Sequence, residues 1–344
     1  MTRASINIIG CGKLGKTLAN LFNKQKNLLL SGIVNSSYES AVKAVQFIGG
    51  GQAYAQLRDL PAADFFFITT PDDKIQAVCE ELVSGNQLQP GTIVVHCSGS
   101  LSSEVLSKAR QKGGHIASLH PVKSFAQPQE CVTSFSGTYC ALEGDAAALP
   151  RLKNLFGSLG AKIFLIKQEK KALYHAASVL ANNYLISLHH QALQAYHFAD
   201  LDEQTANHLT TMLMTDALQN LKKLPHSAAL TGPLQRGDKQ TLEKHLQALA
   251  PHSELSSVYT TLGRSTLPLT QHSETQKKSL ALLFKASPSK VLTASWLDTP
   301  LGPMIALADE EALCALNFAD QEDLERELAR LRTKTQACLV PGET

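Results

Sequence analysis

Several features that would narrow the class of this protein are missing from its 344 residues. No apolar run reaches the ~18 residues that are needed to span a bilayer, and no secretory leader precedes Ile6. The cysteines form no CxxC pair, and this scatter predicts reduced thiols in a cytoplasmic protein. They occupy positions 11, 79, 97, 131, 140, 314 and 338.

The chain also lacks an excess of charge of one sign. Its formal net charge is +2, which gives no general reason to expect a nucleic acid or an anionic membrane as partner. Charged residues make up 18% of the chain and hydrophobic residues 44%, so general disorder is excluded and packed cores are expected. The length predicts about two domains and an appendage. No metal site is predicted.

The clearest motif lies near the amino end, where an apolar run at residues 6–9 leads into a glycine-rich loop. The loop is Gly10, Cys11, Gly12, Lys13, Leu14 and Gly15. The run predicts a strand buried on both faces of a parallel sheet, and helical spacing follows over Lys13–Asn23. Gly10 permits a tight turn, Gly12 leaves room for a pyrophosphate, and Gly15 lets the helix pack close to the strand. This context predicts dinucleotide binding at the start of the helix, rather than a glycine turn without a ligand.

The residues after the second predicted strand, Leu28–Val34, indicate which dinucleotide binds. Sites that prefer NAD place an acidic residue there to hold the ribose 2′-hydroxyl. This chain has the small donors Asn35, Ser36 and Ser37 instead, so NADP(H) is favoured. The missing carboxylate also counts against S-adenosylmethionine.

Further apolar strands also end in small polar residues. Because ligands lie at the carboxyl ends of strands in open α/β sheets, we expect Thr70 and Pro71 to bind the cofactor and Ser98 to lie near the substrate. The next residue, Asp72, is better explained as a helix N-cap than as a ligand-binding group. His120 could contact substrate or nicotinamide, or could cap its strand through backbone contacts.

The order of the elements predicts the domains. Strands and helices alternate over residues 1–167, which predicts a Rossmann-like, doubly wound parallel sheet of the α/β class. Residues 168–287 predict an all-helical domain that begins with one long helix over Glu169–Phe198. Residues 288–344 predict a short α+β fragment.

The long helix is apolar on most sides and carries a single polar stripe. The stripe consists of Lys171, His175, Ser178 and Asn182. A mostly buried helix turns such a stripe either to solvent or to an internal cleft. In a cleft, His175 or Lys171 would be the proton donor, and Asn182 with Ser98 would orient the reacting group. Arg236, in a turn between helices, could orient an anionic substrate or could be an ordinary surface arginine.

These motifs together resemble the Rossmann-like proteins that carry a DUF2520 helical domain, which are relatives of pyrroline-5-carboxylate reductase and of the proteins labelled NADP oxidoreductase, coenzyme F420-dependent. The resemblance covers residues 3–285. Beyond the residues already named, it is carried by Asp73, Pro121, Ser124-Phe125, Tyr174 to Ala177, Asn183 to Leu185, Gly232-Pro233 and Gly237-Asp238. It implies NADP(H) as cofactor, with the reduced deazaflavin F420 as second choice, a homodimer formed through the helical domain, and an oxidoreductase role.

A second resemblance begins at Val291. Residues 291–318 are similar to the amino-terminal, ribonuclease-like half of methylated-DNA–protein-cysteine methyltransferases. The pattern predicts a strand, a Thr-Pro-Leu-Gly turn, two more strands and a helix over Gln321–Leu331. The repair chemistry of that family needs a Pro-Cys-His-Arg motif and a helix-turn-helix. Cys314, in a strand, and Cys338, in a tail, lack those neighbours, and residues 301–344 hold 9 acidic against 4 basic residues, which repel DNA phosphates.

The leading hypothesis is an NADP(H)-dependent oxidoreductase that acts on a small imine, carbonyl or hydroxy-acid substrate in the interdomain cleft. One rival is a non-catalytic NADP(H) sensor or scaffold. Another is alkyl-transfer repair through the carboxyl-terminal piece, which we expect instead to be a truncated fragment without repair activity. No nucleic-acid or membrane partner is expected.

Overall fold

The computed structural model of the chain divides it into two compact units, Met1–Ser187 and Leu188–Thr344. The described residues are 3–85, 87–284, 291–309, 312–335 and 338–341. Among them, no helix is both long enough and apolar enough to cross a bilayer.

An eight-stranded sheet forms the centre of the first unit. Its strands are β1 Ala4–Ile9, β2 Leu28–Val34, β3 Gln52–Tyr54, β4 Phe65–Ile68, β5 Ile93–His96, β6 His115–Pro121, β7 Tyr139–Gly144 and β8 Lys162–Leu165. They lie in the order β3-β2-β1-β4-β5-β6-β7-β8. The predicted Rossmann-like sheet is confirmed. The sheet differs from the predicted all-parallel arrangement in one respect, because β7 pairs antiparallel with β6. An antiparallel pair needs no crossover of the chain to the opposite end of the sheet.

Helices cover both faces of this sheet. They are α1 Lys13–Asn23, α2 Tyr38–Ile48, α3 Ile75–Ser84, α4 Ser107–Gln111, α5 Pro128–Thr133 and α6 Ala148–Ser158. Phe66 and Phe67 are neighbours on β4, so their side chains point to opposite faces, and both have 0% exposure. Phe67 packs against Phe22 and Phe156 with ring centroids 5.1 and 6.0 Å apart, whereas Phe66 packs in a cluster with Leu82 of α3. Burial on both faces explains why this strand is a continuous apolar run.

Strand β1 determines where a ligand can bind. It lies between β2 and β4, so the loops that follow β1 and β4 lead to opposite faces of the sheet and leave a crevice at the carboxyl ends. The glycine-rich loop follows β1, and Thr69, Thr70 and Pro71 follow β4. Both sequence motifs therefore border the same crevice.

The predicted all-helical middle region is confirmed. The long helix α7, Lys171–Phe198, begins in the first unit and ends in the second. It is followed by α8 Glu203–Leu221, α9 His226–Ala229, α10 Pro233–Arg236, α11 Lys239–Leu249, α12 Ser253–Thr266 and α13 Glu274–Ala281. Asp202 and Asp238 cap α8 and α11 by accepting hydrogen bonds from the Thr205 and Thr241 amides, because both precede a helix with unpaired N–H groups.

The apolar residues of α7 do not form the buried surface that the sequence predicts. Leu173, Leu180, Tyr184 and Ile186 are 72, 63, 57 and 66% exposed. The expectation of a mostly buried helix is therefore wrong for the single chain. The sequence shows how much apolar surface the helix carries, but not what covers it.

The last part of the chain forms a small sheet with one helix. Its elements are β9 Val291–Thr299, β10 Gly302–Ala308, β11 Leu313–Phe318, α14 Leu324–Thr335 and β12 Cys338–Pro341. Strands β9, β10 and β11 are antiparallel. The prediction that Cys338 lies in a tail is wrong, because β12 pairs in parallel with β9. A strand this short is specified by a partner that is distant in the sequence, so local pattern does not reveal it.

Candidate functional site

Each glycine of the amino-terminal loop has its own steric role. Gly10 has a φ of +85°, and a Cβ there would lie 2.8 Å from the Thr70 amide nitrogen. A Cβ on Gly15 would lie 2.6 Å from Thr69 Oγ1, so α1 packs against the end of β4 only without a side chain. A Cβ on Gly12 would meet nothing within 4 Å. Gly12 is the N-cap of α1, and this space is where an anion can approach the free N–H groups of the helix.

The side chain of Asn35 braces this loop. The Cys11 amide donates to Asn35 Oδ1, and Asn35 Nδ2 donates to Ser40 Oγ at 2.9 Å. Both ends of the Asn35 amide are therefore used within the protein. Burial raises the pKa of the Cys11 thiol to about 12, so the loop carries no thiolate that would repel a phosphate.

A cavity of about 790 Å³ opens beside the loop. Its lining includes the predicted cofactor residues Gly10, Cys11, Gly12, Asn35, Ser36, Thr70 and Pro71. Four other predicted cofactor residues lie outside the lining. Lys13 is exposed on the first turn of α1, Leu14 is half-buried, and Gly15 is buried. Ser37 caps α2 by accepting from the Ser40 amide.

The sequence reading missed other residues of the lining, among them Ser40, Gln56, Lys74 and Glu81. Ser40 follows the Asn35–Ser37 run by one helical turn, and that spacing is a signal that could have identified it. Lys74 and Glu81 come from the β4-α3 segment and from α3. No local pattern marks them, because the fold alone brings them to the crevice.

The cavity fits a dinucleotide. The open space at Gly12 leaves the start of α1 accessible, and Thr70 Oγ1 is buried without a hydrogen-bond partner among the described residues. A buried hydroxyl without a partner is costly, and a bound ligand would satisfy it. Asn35, Ser36 and Ser37 at the end of β2 carry no carboxylate, so these three residues do not repel a 2′-phosphate.

A second polar group lies at the ends of β4 and β5. Ser98 Oγ donates to Asp72 Oδ2 at 2.7 Å, and Ser100 Oγ donates to the same oxygen at 3.0 Å. The N-cap role predicted for Asp72 is wrong, because the turn Asp72–Lys74 has no side-chain cap. His96 accepts from the Ser98 amide through Nδ1 and donates to the Ser102 carbonyl through Nε2. Burial, together with the positive charge of Lys171, lowers the pKa of His96 to about 4, so it is neutral at pH 7.

Two histidines flank Gly99. A Cβ on Gly99 would collide with His175 Nδ1 and would lie 3.0 Å from His120 Nε2. The imidazole rings are perpendicular, with centroids 5.7 Å apart. His120 Nδ1 forms a 2.9 Å hydrogen bond with the Tyr174 hydroxyl, so this histidine is held by a side chain. His175 Nδ1 is buried and has no partner among the described residues.

Burial sets the protonation of the His120–Tyr174 pair. It lowers the pKa of His120 to about 4, with further contributions from His175 and Lys171. It raises the pKa of Tyr174 to about 12. At pH 7 both groups are neutral, so the imidazole carries one N–H and the phenol one O–H. One of these two hydrogens lies in the hydrogen bond between them. The other N–H or O–H is available to donate to a ligand.

Lys171 is buried, with 1% of its side chain exposed. Its Nζ donates to the Ser98 carbonyl at 3.1 Å and to Ser118 Oγ. Glu143 Oε1 is 3.8 Å away. Burial lowers the pKa of Lys171, and Glu143 opposes that shift.

The polar stripe of α7 thus has several environments. Lys171 is buried, His175 and Ser178 are half-buried, and Asn182 is exposed. The structure brings His175, Lys171, Ser98 and His120 together, whereas Asn182 lies about 10 Å further along the helix axis than His175. Arg236 is exposed and belongs to the second unit.

Cys314 shows no activated environment. Its thiol contacts Asp309 Oδ2 and the Ala312 carbonyl, both at 3.6 Å. Thiolates that act as nucleophiles are stabilised by neighbouring cations, whereas this thiol faces a carboxylate. The resemblance of this segment to a methyltransferase half stays a prediction.

Comparison with known proteins agrees with this architecture. A model described as Rossmann-like domain matches residues 1–121, and one described as domain of unknown function DUF2520 matches residues 138–266. No curated protein matches the chain.

Solved structures share the fold. A protein from Thermotoga maritima is 28% identical, with a TM-score of 0.61, over 77% of this chain and 98% of its own. A candidate NADP oxidoreductase from Bacteroides fragilis is 19% identical, with a TM-score of 0.63, over 76% of this chain and 97% of its own. A pyrroline-5-carboxylate reductase from Coxiella burnetii is 16% identical, with a TM-score of 0.52, over 79% of this chain and 100% of its own. Residues 1–121 therefore match a Rossmann-like domain and residues 138–266 a DUF2520 domain, and the structural neighbours include a candidate NADP oxidoreductase and a pyrroline-5-carboxylate reductase.

Proposed function

We propose that this protein is an NADP(H)-dependent oxidoreductase that acts on a small imine, carbonyl or hydroxy-acid substrate. The observation that carries the proposal is the link between the crevice and the histidines. Pro71 lines the cavity, the adjacent Asp72 binds Ser98, and the next residue, Gly99, lies against His120 and His175. A nicotinamide held in the crevice would thus lie near two imidazoles.

The cofactor would supply the hydride, and the chain would supply binding, orientation and a proton. The start of α1 at Gly12 would hold the diphosphate. Ser36 and Ser40 offer hydroxyl groups to a 2′-phosphate, which favours NADP(H) over NAD(H). The reduced deazaflavin F420 is the second choice. The Bacteroides fragilis and Coxiella burnetii neighbours, as an NADP oxidoreductase candidate and a reductase, support this class.

For the proton we assign His175 as donor and the His120–Tyr174 pair as its partner. His175 is chosen because its Nδ1 has no partner among the described residues, whereas the donors of Lys171 are directed at protein oxygens. Ser98 holds the loop that presents Gly99. Asn182 would contribute only to a larger substrate.

We also propose that the active form is a homodimer. Leu180, Tyr184 and Ile186 on α7 are more than half exposed, and this much exposed apolar surface on one helix usually marks an interface. A second copy of the same helix presents the same surface and can pair with it about a twofold axis.

The test combines binding with turnover. NADPH, NADH and reduced F420 are titrated into the protein, and NADPH oxidation is then followed with cyclic imines, 2-oxo acids and aldehydes. The variant Gly12→Val places a side chain in open space at a φ of −73°, so it should fold and lose dinucleotide binding. The control Gly157→Val also enters open space, on α6, and should bind like the parent. Tight NADPH binding without any oxidation would identify a sensor or scaffold instead, and no saturable binding of any cofactor would reject both.

A further inference from the structure

The ammonium group of Lys171 faces three protein oxygens. An ammonium group has three N–H donors. They face the Ser98 carbonyl, Ser118 Oγ and Glu143 Oε1. With 1% of its side chain exposed and two of its donors hydrogen-bonded to protein oxygens, the ammonium group is closed to solvent and directed at the protein.

Glu143 is itself fully held. Its two carboxylate oxygens accept from the Ser103 amide and from Ser103 Oγ, each at 2.8 Å. Gln168 Nε2 donates to Ser103 Oγ at 2.9 Å. A buried ion pair is tolerated when its remaining hydrogen-bonding capacity is satisfied in this way.

The ion pair joins the parts of the unit that carry the histidines. Ser98 follows β5 and precedes Gly99, Ser118 belongs to β6, and Glu143 belongs to β7. Lys171 is the first residue of α7, and His175 lies one helical turn further on. The same ammonium group therefore fixes both the backbone at Gly99 and the rotation of the helix that presents His175.

On this basis, and resting on the proposed function, we propose that Lys171 is a positioning residue, with Glu143 as its counter-charge. It holds Tyr174 and His175 against Gly99 and His120, and it transfers no proton itself. A shift of about 1 Å in such a group lowers turnover by about 100-fold.

The experiment removes both charges together. Lys171→Met alone leaves Glu143 unpaired and should lower the melting temperature, because an unpaired buried charge is strongly destabilising. Lys171→Met/Glu143→Gln leaves no unpaired charge and should recover that loss. The double variant should bind NADPH like the parent, show kcat lowered by about 100-fold, and keep the shape of its pH profile. Lys277→Met/Glu274→Gln removes a surface ion pair of the second unit, whose nitrogen and oxygen atoms are 3.2 Å apart, and should leave kcat unchanged.

Two results would overturn the proposal. Unchanged kcat in the double variant would show that the pair positions nothing, and the loss of one limb of the pH profile would show that Lys171 itself titrates in the reaction. If none of the tested substrates supports oxidation of NADPH by the parent protein, the proposed function fails separately. The positioning claim is then judged by the imidazole ¹⁵N resonances of His120 and His175. They should move in the double variant and not in the control, and unmoved resonances would reject it.

Discussion

His120 Nδ1 lies 2.9 Å from the hydroxyl oxygen of Tyr174. His120 is the last residue but one of strand β6 and Tyr174 lies in the first turn of α7, so the contact joins residues 54 positions apart in the chain. The rings meet edge to face, with centroids 5.7 Å apart. This contact fixes the orientation of the His120 imidazole beside Gly99.

His120→Phe keeps a ring of similar size and removes both nitrogens. If His120 takes part in proton handling, kcat should fall by about 100-fold or more, while NADPH affinity should be unchanged because His120 does not line the cavity. His115→Phe, at the opposite end of β6, is the matched control. Equal turnover in the two variants would assign His120 a purely structural role.

Stability should depend on pH through the two buried histidines. His96 and His120 have a pKa of about 4 in the folded protein, mainly because of burial, against about 6.5 in an unfolded chain. As the pH falls from about 6.5 towards 4, the unfolded chain takes up protons that the folded chain does not, so the free energy of unfolding decreases. Urea unfolding at several pH values measures this. His120→Phe should flatten the slope between about pH 6.5 and 5, and an unaltered slope would contradict the depressed pKa of His120.

Asn35→Asp should change cofactor preference. The aspartate can still accept from the Cys11 amide, but it adds negative charge beside the serines at the end of β2. We expect the ratio of NADPH to NADH affinity to fall by at least about tenfold, which corresponds to about 1.4 kcal/mol. Asn27→Asp makes the same change just before the amino end of β2 and should leave the ratio unaltered. A ratio that stays constant in Asn35→Asp would place the 2′-phosphate elsewhere.

Ile186→Glu should weaken self-association. Ile186 is 66% exposed on α7, and a charge in an apolar interface loses its hydration without gaining a partner. Sedimentation equilibrium should show a parent dimer and a largely monomeric variant. Leu301→Glu changes a residue that is 83% exposed in the turn between β9 and β10, and it should sediment like the parent. A monomeric parent would remove the dimer from the proposal.

Much of the fold follows from local pattern. The sequence predicts the glycine loop, and it predicts the strand β2 and the helix α1 with the bounds that the structure has. Their signals are local, since a glycine at positive φ or an apolar run depends mostly on its immediate neighbours. The sequence does not predict that β7 pairs antiparallel with β6 or that the short strand β12 exists. Strand pairing depends on a partner strand that lies elsewhere in the chain.

The candidate site divides in the same way. By itself, the sequence determined the residue types at the strand ends and the polar stripe on α7, because hydrophobic periodicity fixes which positions share a face. Only the tertiary structure decided that Lys171 is buried against Glu143, that Asn35 braces the loop, and that His120 and His175 meet at Gly99. These contacts join residues far apart in the chain, and their geometry is fixed by the packing of strands and helices that no single segment encodes.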